Sequence, residues 1–431
     1  MLTRLILASF GLAAALQLSA PTALAENWPQ WRGPHNNGIS SEKNIPLTWS
    51  KTENVLWRLP LPGMAGATPV VWENHIFLTS AEGADLLLLA ANTDGKELWR
   101  RKLGTGNRAA RGDEGNLAAP SPSTDGKHVW GFVGSGDLAC YDFSGQLVWA
   151  ENLQTRYGRF DIQFGMASTP VLDGDRLYLQ LIHGDGNAKT REALVVCLNK
   201  LTGREVWKQS RESEARAENE HSYASPILYR DDQRSYLLTH GADYIVAHSL
   251  EDGHELWRCG GLHPPDTYDP TLRFVASPAC VPGLIVVPSA KRGVVLGLKP
   301  DGHGNITDSA QYRLWKYAIT PDVPSPLIDD KYVYLCRENG NLICLDAKTG
   351  EQKYHKRTQG DRHRASPVLA DGRIYTTSRG GIVSVVKTGP QFELLATNNI
   401  GESISASPAI SGGRIYLRTF DALWAIGSKN K

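Results

Sequence analysis

The sequence predicts an all-β fold, an eight-bladed β-propeller built from four-stranded antiparallel blades. The first indication is a tripeptide of the type Ala/Pro/Ser-Ser/Thr-Pro, which opens eight segments and recurs every 41 to 56 residues. Its copies occupy residues 67–69, 120–122, 168–170, 224–226, 276–278, 324–326, 365–367 and 406–408. Each copy is followed by short apolar runs separated by turn residues, as in residues 324–357, where Asn339-Gly340 predicts a hairpin. A repeat of this length with four strands per copy is typical of a propeller blade.

A second mark supports the same count. A turn glycine stands four residues before an aromatic residue in the last run of most copies. These pairs are Gly95/Trp99, Gly145/Trp149, Gly203/Trp207, Gly253/Trp257 and Gly350/Tyr354, and Trp57 and Trp315 occupy equivalent strands with irregular turns. We expect these seven aromatic residues to be structural, each packing its large ring against the neighbouring blade.

The first 25 residues predict a secretory signal peptide. Arg4 supplies a positive start, residues 5–18 an apolar core, and Ala23-Leu24-Ala25 a small-residue cleavage site, so we expect cleavage after Ala25. The first cysteine is Cys140, so no lipid-anchor Cys follows the cleavage site. No later segment has the ~18 apolar residues of a membrane span. We therefore expect a periplasmic or secreted protein without an anchor.

The remaining chain predicts one domain with a short leader and tail. Residues 26–53 carry three tryptophans without strand or helix period, and we expect an irregular strap across the propeller wall or face. Residues 54–427 form the propeller, and 428–431 a tail. The last copy has only three strands, so we expect residues 54–61 to supply its fourth strand and close the ring without an open edge.

Charge and motifs restrict the function classes. The 431-residue chain has 46 basic and 45 acidic residues, a formal net charge of +1, which gives no support for nucleic acid as a partner. We expect a monomer. Nucleophile-elbow, zinc-protease and phosphate-loop motifs are absent from the sequence. Residues 183–187, His-Gly-Asp-Gly-Asn, resemble part of a calcium loop but lack its later ligands, so we predict no metal site.

The six cysteines form no Cys-x-x-Cys pair. Alignment of the copies places Cys140, Cys197 and Cys344 at a small buried position of the third strand. Cys336 would oppose Cys344 across the Asn339-Gly340 hairpin if the loop has three residues, and a two-residue loop would break that register. The sequence leaves this disulfide open, and it assigns no role to the remaining cysteines.

Topology predicts where a ligand would bind. The loops between second and third strands and the connections between blades meet on one face, which we call the top face, and they are rich in ionisable residues and long insertions. We expect this face to bind a protein or a polar ligand, the alternative being a solvated face whose charges pair with one another. The candidate binding residues are Arg108, Arg111, Asp113, His221, His240, Asp243, Arg292, Arg337, Arg362, His363, Arg379 and Arg418.

The repeat resembles that of the pyrroloquinoline-quinone (PQQ)-like propellers, in residues 333–350 (VYLCRENGNLICLDAKTG) and 194–207 (LVVCLNKLTGREVW). Residues 27–34 (NWPQWRGP) look like the start of a group of exported bacterial propellers of this kind. The resemblance implies one of two functions. A distant similarity to BamB implies a non-catalytic binding or scaffold module without cofactor, which we expect here. The alternative is a quinoprotein oxidoreductase with PQQ and calcium in the channel, although the adjacent cysteines usual in those dehydrogenases are absent.

Overall fold

The computed structural model describes residues 25–110, 112, 115–184, 193–263 and 268–428, which form eight four-stranded antiparallel blades around a central channel. The prediction of fold class and blade count is confirmed. In blades 1 and 2 the strands are Val70–Trp72, His75–Glu82, Asp85–Asn92, Glu97–Thr105, then Ser123–Thr124, His128–Phe132, Asp137–Asp142, Leu147–Asn152. In blades 3 and 4 they are Val171–Asp173, Arg176–Leu181, Leu194–Asn199, Glu205–Ser210, then Ile227–Arg230, Ser235–Gly241, Tyr244–His248, Glu255–Cys259.

The other four blades follow the same order from the channel outward. Blades 5 and 6 contain Ala279–Val281, Leu284–Pro288, Val295–Leu298, Arg313–Tyr317, then Leu327–Ile328, Tyr332–Cys336, Asn341–Asp346, Gln352–Arg357. Blades 7 and 8 contain Val368–Ala370, Arg373–Thr377, Ile382–Lys387, Leu394–Asn399, then Ala409–Ser411, Arg414–Arg418, Ala422–Ile426 and, as the outer strand, Val55–Pro60. The predicted closure is therefore present, because Val55–Pro60 pairs antiparallel with Ala422–Ile426.

The aromatic residue and the turn glycine of the second sequence mark form the two sides of a contact between neighbouring blades. The indole N–H of Trp207 in blade 3 donates to the Leu250 carbonyl in the turn of blade 4, at 3.2 Å. The same turn contains Gly253, at φ +77°, and a Cβ built there would lie 2.4 Å from the Trp207 ring. Trp57, Trp99, Trp149 and Trp315 dock in the same way, on turns containing Gly95, Gly145, Gly203 and Gly350. Glycine is required in these turns because it adopts φ > 0 and leaves room for the ring.

Two aromatic positions depart from this pattern. The Trp257 ring of blade 4 is buried without a hydrogen bond at Nε1 and packs against Gly302 in an insertion of blade 5. The same insertion adds a parallel strand, Gly304–Asn305, to the outer edge of blade 4. Tyr354 packs edge-on against Phe392. The sequence did not predict the added strand, nor the short helix Leu153–Tyr157 and the 3-10 turn Ala217–Glu220.

The start of the strap lies inside the propeller. Trp28 pairs with Val71 in the inner strand of blade 1, and Ile39–Ser40 runs parallel to the inner strand Val368–Ala370 of blade 7. Between them Arg32, 3% exposed, donates to the Pro326 carbonyl of blade 6 at 2.6 Å. The first part of the strap thus crosses the end of the channel opposite the top face. The sequence predicted a course across the wall or face of the propeller.

The cysteines are free thiols. In blade 6, Cys336 pairs with Leu342 and Cys344 with Tyr334, so the two cysteines do not oppose each other across the hairpin. Cys140, Cys197 and Cys344 lie opposite the docking aromatics of their own blades, Trp149, Trp207 and Tyr354. A small side chain is needed there because the ring covers that position.

Candidate functional site

The channel forms a blind cup. It encloses a cavity of about 800 Å³ that opens between the second-to-third loops and the blade connections of the top face. Trp31, from the strap, lines the closed end, and the Arg32 guanidinium lies 5.8 Å from the centroid of its ring. A concave site of this size is in the range of small-molecule sites. The cup is therefore the strongest candidate for ligand binding in the described part of the chain.

A ring of hydroxyl groups surrounds the waist of the cup. It consists of the Ser or Thr of each Ser/Thr-Pro tripeptide: Thr68, Ser121, Thr169, Ser225, Ser277, Ser325, Ser366 and Ser407. In seven successive junctions the backbone N–H of one member donates to the hydroxyl oxygen of the next blade's member, at 2.8 to 3.1 Å. At the junction of blades 8 and 1, Thr68 Oγ1 is buried without a hydrogen bond. The tripeptide is thus both the repeat mark and the wall of the cup.

Above the ring, four side chains form a charged network across blades 5 to 7. Lys291 Nζ lies 3.3 Å from Asp322 Oδ2 and 3.1 Å from Glu338 Oε2. Arg364 Nη1 donates to Glu338 Oε1 at 2.6 Å. All four residues line the cavity. The network links the hairpin tips of Lys291 and Glu338 with the connections that carry Asp322 and Arg364.

The two carboxyl groups of this network hydrogen-bond each other. Burial and the hydrogen bond to Glu338 raise the pKa of Asp322. Burial also opposes ionisation of Glu338, but the hydrogen bond from Asp322 and the nearby Arg364 and Lys291 lower its pKa. Asp322 therefore has the higher pKa of the two carboxyl groups, and its left-handed backbone, at φ +79°, is the kind of strain found at functional sites.

One wall of the cup is aromatic. Phe164 and Tyr223 line it with ring centroids 6.0 Å apart, and the Arg273 guanidinium lies over the Phe164 ring at 4.5 Å. Arg273 also forms an ion pair with Glu218 at 3.0 Å. The cup thus offers an aromatic surface beside cationic groups.

The predicted site residues are spread over the top face, and one of them, Arg362, lines the cup. Arg108, Arg292 and Arg362 are exposed, Asp243 and Arg337 are half-buried, and His221, His240, His363, Arg379 and Arg418 are buried. Arg111 and Asp113 lie outside the described residues. The binding roles of all twelve residues stay predictions.

Two of the predicted arginines are enclosed in the wall. Arg418, 1% exposed, donates to the carbonyls of Ala65 and, at 3.2 Å, Gly63, across the junction of blades 8 and 1. Burial lowers its pKa to about 9. Arg379 donates to Ser405 Oγ and lies 4.2 Å from the Phe420 ring centroid. Reversing either charge would remove these structural contacts.

The predicted histidines are buried, and Asp243 is half-buried with its Oδ1 atom enclosed. The His221 ring contacts the Gly184 carbonyl at 2.9 Å, and His363 Nδ1 contacts the Asp361 carbonyl at 3.0 Å. Burial lowers the pKa of His240 to about 3, so its imidazole is neutral at pH 7. Burial raises the pKa of Asp243 to about 6.

The residues that build the cup were largely missed as site residues. Arg273, Asp322 and Arg364 stand in connections without any periodic signal, and the serines entered the sequence reasoning as repeat marks alone. The sequence did contain a signal for the hydroxyl ring, namely the recurrence of the Ser/Thr-Pro tripeptide. The same Ser or Thr at the same point of eight copies must face one axis.

Two further absences hold for the described residues. They contain no group of three or more His, Cys, Asp or Glu side chains arranged to hold a metal ion. Within the same ranges, no helix has both the length and the apolar character needed to cross a membrane.

The fold places this protein among the eight-bladed β-propellers built from four-stranded antiparallel blades, and the cup lies in its central channel. A family model described as outer membrane protein assembly factor BamB matches residues 46–180 and 134–388. The chain belongs to this family. A comparison with curated proteins gives no match.

Several solved structures share the fold. BamB from Moraxella catarrhalis is 13% identical, with a TM-score of 0.62 over 88% of this chain and 98% of that one. Quinohemoprotein alcohol dehydrogenases from Pseudomonas putida and Comamonas testosteroni are 14% and 13% identical, with TM-scores of 0.62 and 0.54. Each covers 94% of this chain and 81% of its own. At these identities the likeness extends to the fold alone.

Proposed function

We propose that the protein is an exported, non-catalytic binding propeller that takes a polar ligand into the cup from the top face. The observation that carries this proposal is the blind cavity of about 800 Å³, closed below by the chain's own strap and lined by hydroxyl and charged groups. A pocket that is concave, preformed and supplied with convergent polar groups is the default ligand site of a protein. Export is supported by the predicted signal peptide and by a family named for outer-membrane assembly.

A second candidate, a quinoprotein oxidoreductase, is supported by the shared fold of the quinohemoprotein dehydrogenases. The residues of this chain do not fit the calcium that such a reaction would need with PQQ. No group of three His, Cys, Asp or Glu side chains converges in the described ranges, and the acidic residues of the described lining, Asp322 and Glu338, are engaged by Lys291 and Arg364. We therefore derive no reaction through that cofactor.

The test is to fill the cup. Gly66 lines the cavity, has no left-handed backbone, and a Cβ built there meets only the Ser405 Cβ, at 3.9 Å. Gly66→Phe should therefore place a ring in the cup with little strain. A panel of neutral sugars, acidic sugars, amino acids, inorganic phosphate and PQQ with calcium is titrated by calorimetry against both proteins.

We expect at least one panel member to bind the natural protein and to lose affinity at least tenfold with Gly66→Phe, while thermal unfolding stays within a few degrees. Ligands that bind both proteins equally would place recognition outside the cup and refute the proposal. Binding of PQQ with calcium, accompanied by dye-linked alcohol oxidation, would favour the second candidate.

A further inference from the structure

The hydroxyl ring has unused hydrogens. In the seven junctions each hydroxyl oxygen accepts a backbone N–H, and none of the eight hydroxyls donates its hydrogen to a protein acceptor in the described part of the chain. Six of them line the cavity: Ser121, Thr169, Ser225, Ser325, Ser366 and Ser407. Each is 5% exposed or less. Since buried polar hydrogens are nearly always bonded, six O–H donors are available to a guest in the cup.

The width of the ring restricts the shape of that guest. In seven junctions a backbone N–H donates to the hydroxyl oxygen of the next member at 2.8 to 3.1 Å, which spaces neighbouring members by about 5 Å, so a closed ring of eight is about 12 Å across. A guest that accepts hydrogen bonds from opposite sides, at about 2.8 Å each, needs its own oxygens roughly 6 to 7 Å apart. A single oxyanion or a narrow chain is too small to do this. A six-membered ring carrying oxygens around its rim has the required breadth.

The closed end and the wall favour the same shape. Trp31, Phe164 and Tyr223 present aromatic surface inside the cavity. The C–H faces of a sugar ring pack on aromatic faces, while its hydroxyl oxygens stay free for the polar groups around it. Because the strap closes the lower end, an oligosaccharide would enter by its terminal residue.

The charge of the cup adds a further restriction. The described lining residues include four basic side chains, Arg273, Lys291, Arg362 and Arg364, against two acidic ones, Asp322 and Glu338. Basic side chains therefore outnumber acidic ones in the described lining, although Lys291 and Arg364 pair with Asp322 and Glu338, and Arg273 pairs with Glu218 outside the lining. Basic groups focused in a concave, low-dielectric site attract an anionic ligand.

We infer that the cup binds an acidic sugar, a pyranose with a carboxylate, as the terminal residue of a uronic-acid saccharide. The ring oxygens accept from the serine and threonine hydroxyls at the waist, one face packs on the aromatic wall, and the carboxylate faces the basic side chains at the mouth. This inference rests on the proposed function and specifies its ligand.

The first experiment compares four probes by calorimetry on the full chain: D-glucuronate, methyl glucoside, gluconate and acetate. We expect D-glucuronate to bind at least tenfold more tightly than methyl glucoside, which has the ring without the charge. It should bind at least tenfold more tightly than gluconate, which has the charge without the ring. Equal affinity for D-glucuronate and gluconate would overturn the inferred shape, and equal affinity for D-glucuronate and methyl glucoside would overturn the inferred charge.

The second experiment uses a matched pair of ring variants. Ser225 and Ser277 make equivalent junction hydrogen bonds, at 2.9 and 2.8 Å, but only Ser225 lines the cavity. Ser225→Ala and Ser277→Ala should therefore lower thermal stability by similar amounts, whereas only Ser225→Ala should weaken D-glucuronate binding, by about fivefold.

Equal weakening by both variants would show that the ring acts through the fold, and would overturn the inference. If neutral sugars or amino acids bind and lose affinity with Gly66→Phe while D-glucuronate does not bind, ligand binding in the cup is supported and the acidic-sugar inference is wrong. If no panel member responds to Gly66→Phe, the proposed function itself fails.

Discussion

Removing the strand Val55–Pro60 should abolish cooperative unfolding, because this strand closes the ring. It pairs with Ala422–Ile426 over five register positions. Ladder hydrogen bonds contribute about 1 kcal/mol each, and the partly buried side chains of the strand about 1 to 2 kcal/mol each. The total, roughly 10 kcal/mol, is comparable with the whole stability of a typical folded protein, about 5 to 15 kcal/mol.

Three chains separate closure from other effects of truncation. The first starts at Gly63, the second starts at Thr52 and keeps the strand without the strap, and the third starts at Gly63 with residues 54–61 appended after Gly427. Gly427 N–H donates to the Asn54 carbonyl at 2.9 Å, so a short turn can join the two ends as a hairpin.

Thermal unfolding is followed by circular dichroism and calorimetry. The first chain should show no sharp transition, the second a sharp transition at lower temperature, and the third a sharp transition again. A cooperative melt from the chain that starts at Gly63 would refute the closure argument. Failure of the third chain, with success of the second, would show that the strand must precede blade 1 to stabilise the ring.

Three other predictions concern a turn glycine, a half-buried carboxyl group and the cysteines. Gly253→Ala should cost about 2 to 4 kcal/mol, because its Cβ would meet the Trp207 ring, whereas Gly283→Ala, also left-handed but with nothing within 4 Å, should cost about 1 kcal/mol. Comparable losses in chemical denaturation would contradict the docking contact. Asp243 has a folded pKa of about 6, above its ordinary value, so its stabilising contribution is full below about pH 4 and is lost as pH rises through 6. Relative to the natural protein, Asp243→Asn should therefore gain about 2 kcal/mol between pH 4 and 7, and parallel stability curves would exclude this. Thiol labelling without reductant should leave Cys140, Cys197, Cys336 and Cys344 unmodified in the folded protein and modify all six cysteines after unfolding, since burial raises the thiol pKa values and no disulfide is present. A pair that resists labelling after unfolding would indicate a bridge.

The repeat was predictable because its signals lie within short stretches of the sequence. Within most blades a turn glycine stands four residues before the docking aromatic residue, and a small residue stands nine or ten before it, so the sequence reveals the blade count and the closing strand. Blade 5 has an irregular turn before its tryptophan, yet it also has a small residue, Gly297, opposite Trp315.

The candidate site was less predictable because its contacts join distant parts of the chain. Whether an arginine is solvated or buried depends on carbonyls supplied elsewhere. Arg418 donates to Gly63 and Ala65, more than 350 residues earlier, and no local pattern announces those acceptors. Nor did composition show that residues 28–38 enter the channel, because Trp, Pro and Gly without a period fit any irregular path.

The strap also sets a problem for the order of folding. Residues 28–38 are synthesised before any of the blades, yet they contact the inner strands of blades 1, 2 and 7, and Arg32 donates to Pro326 of blade 6, 294 residues later. Contacts of such long range slow folding, since the loop between them must close before they stabilise anything. The polar and aromatic groups of residues 28–38 therefore lack their final partners until blades 6 and 7 have folded. The propeller is therefore assembled about its own beginning, and partly made chains expose the tryptophans and the buried arginine that the finished ring encloses.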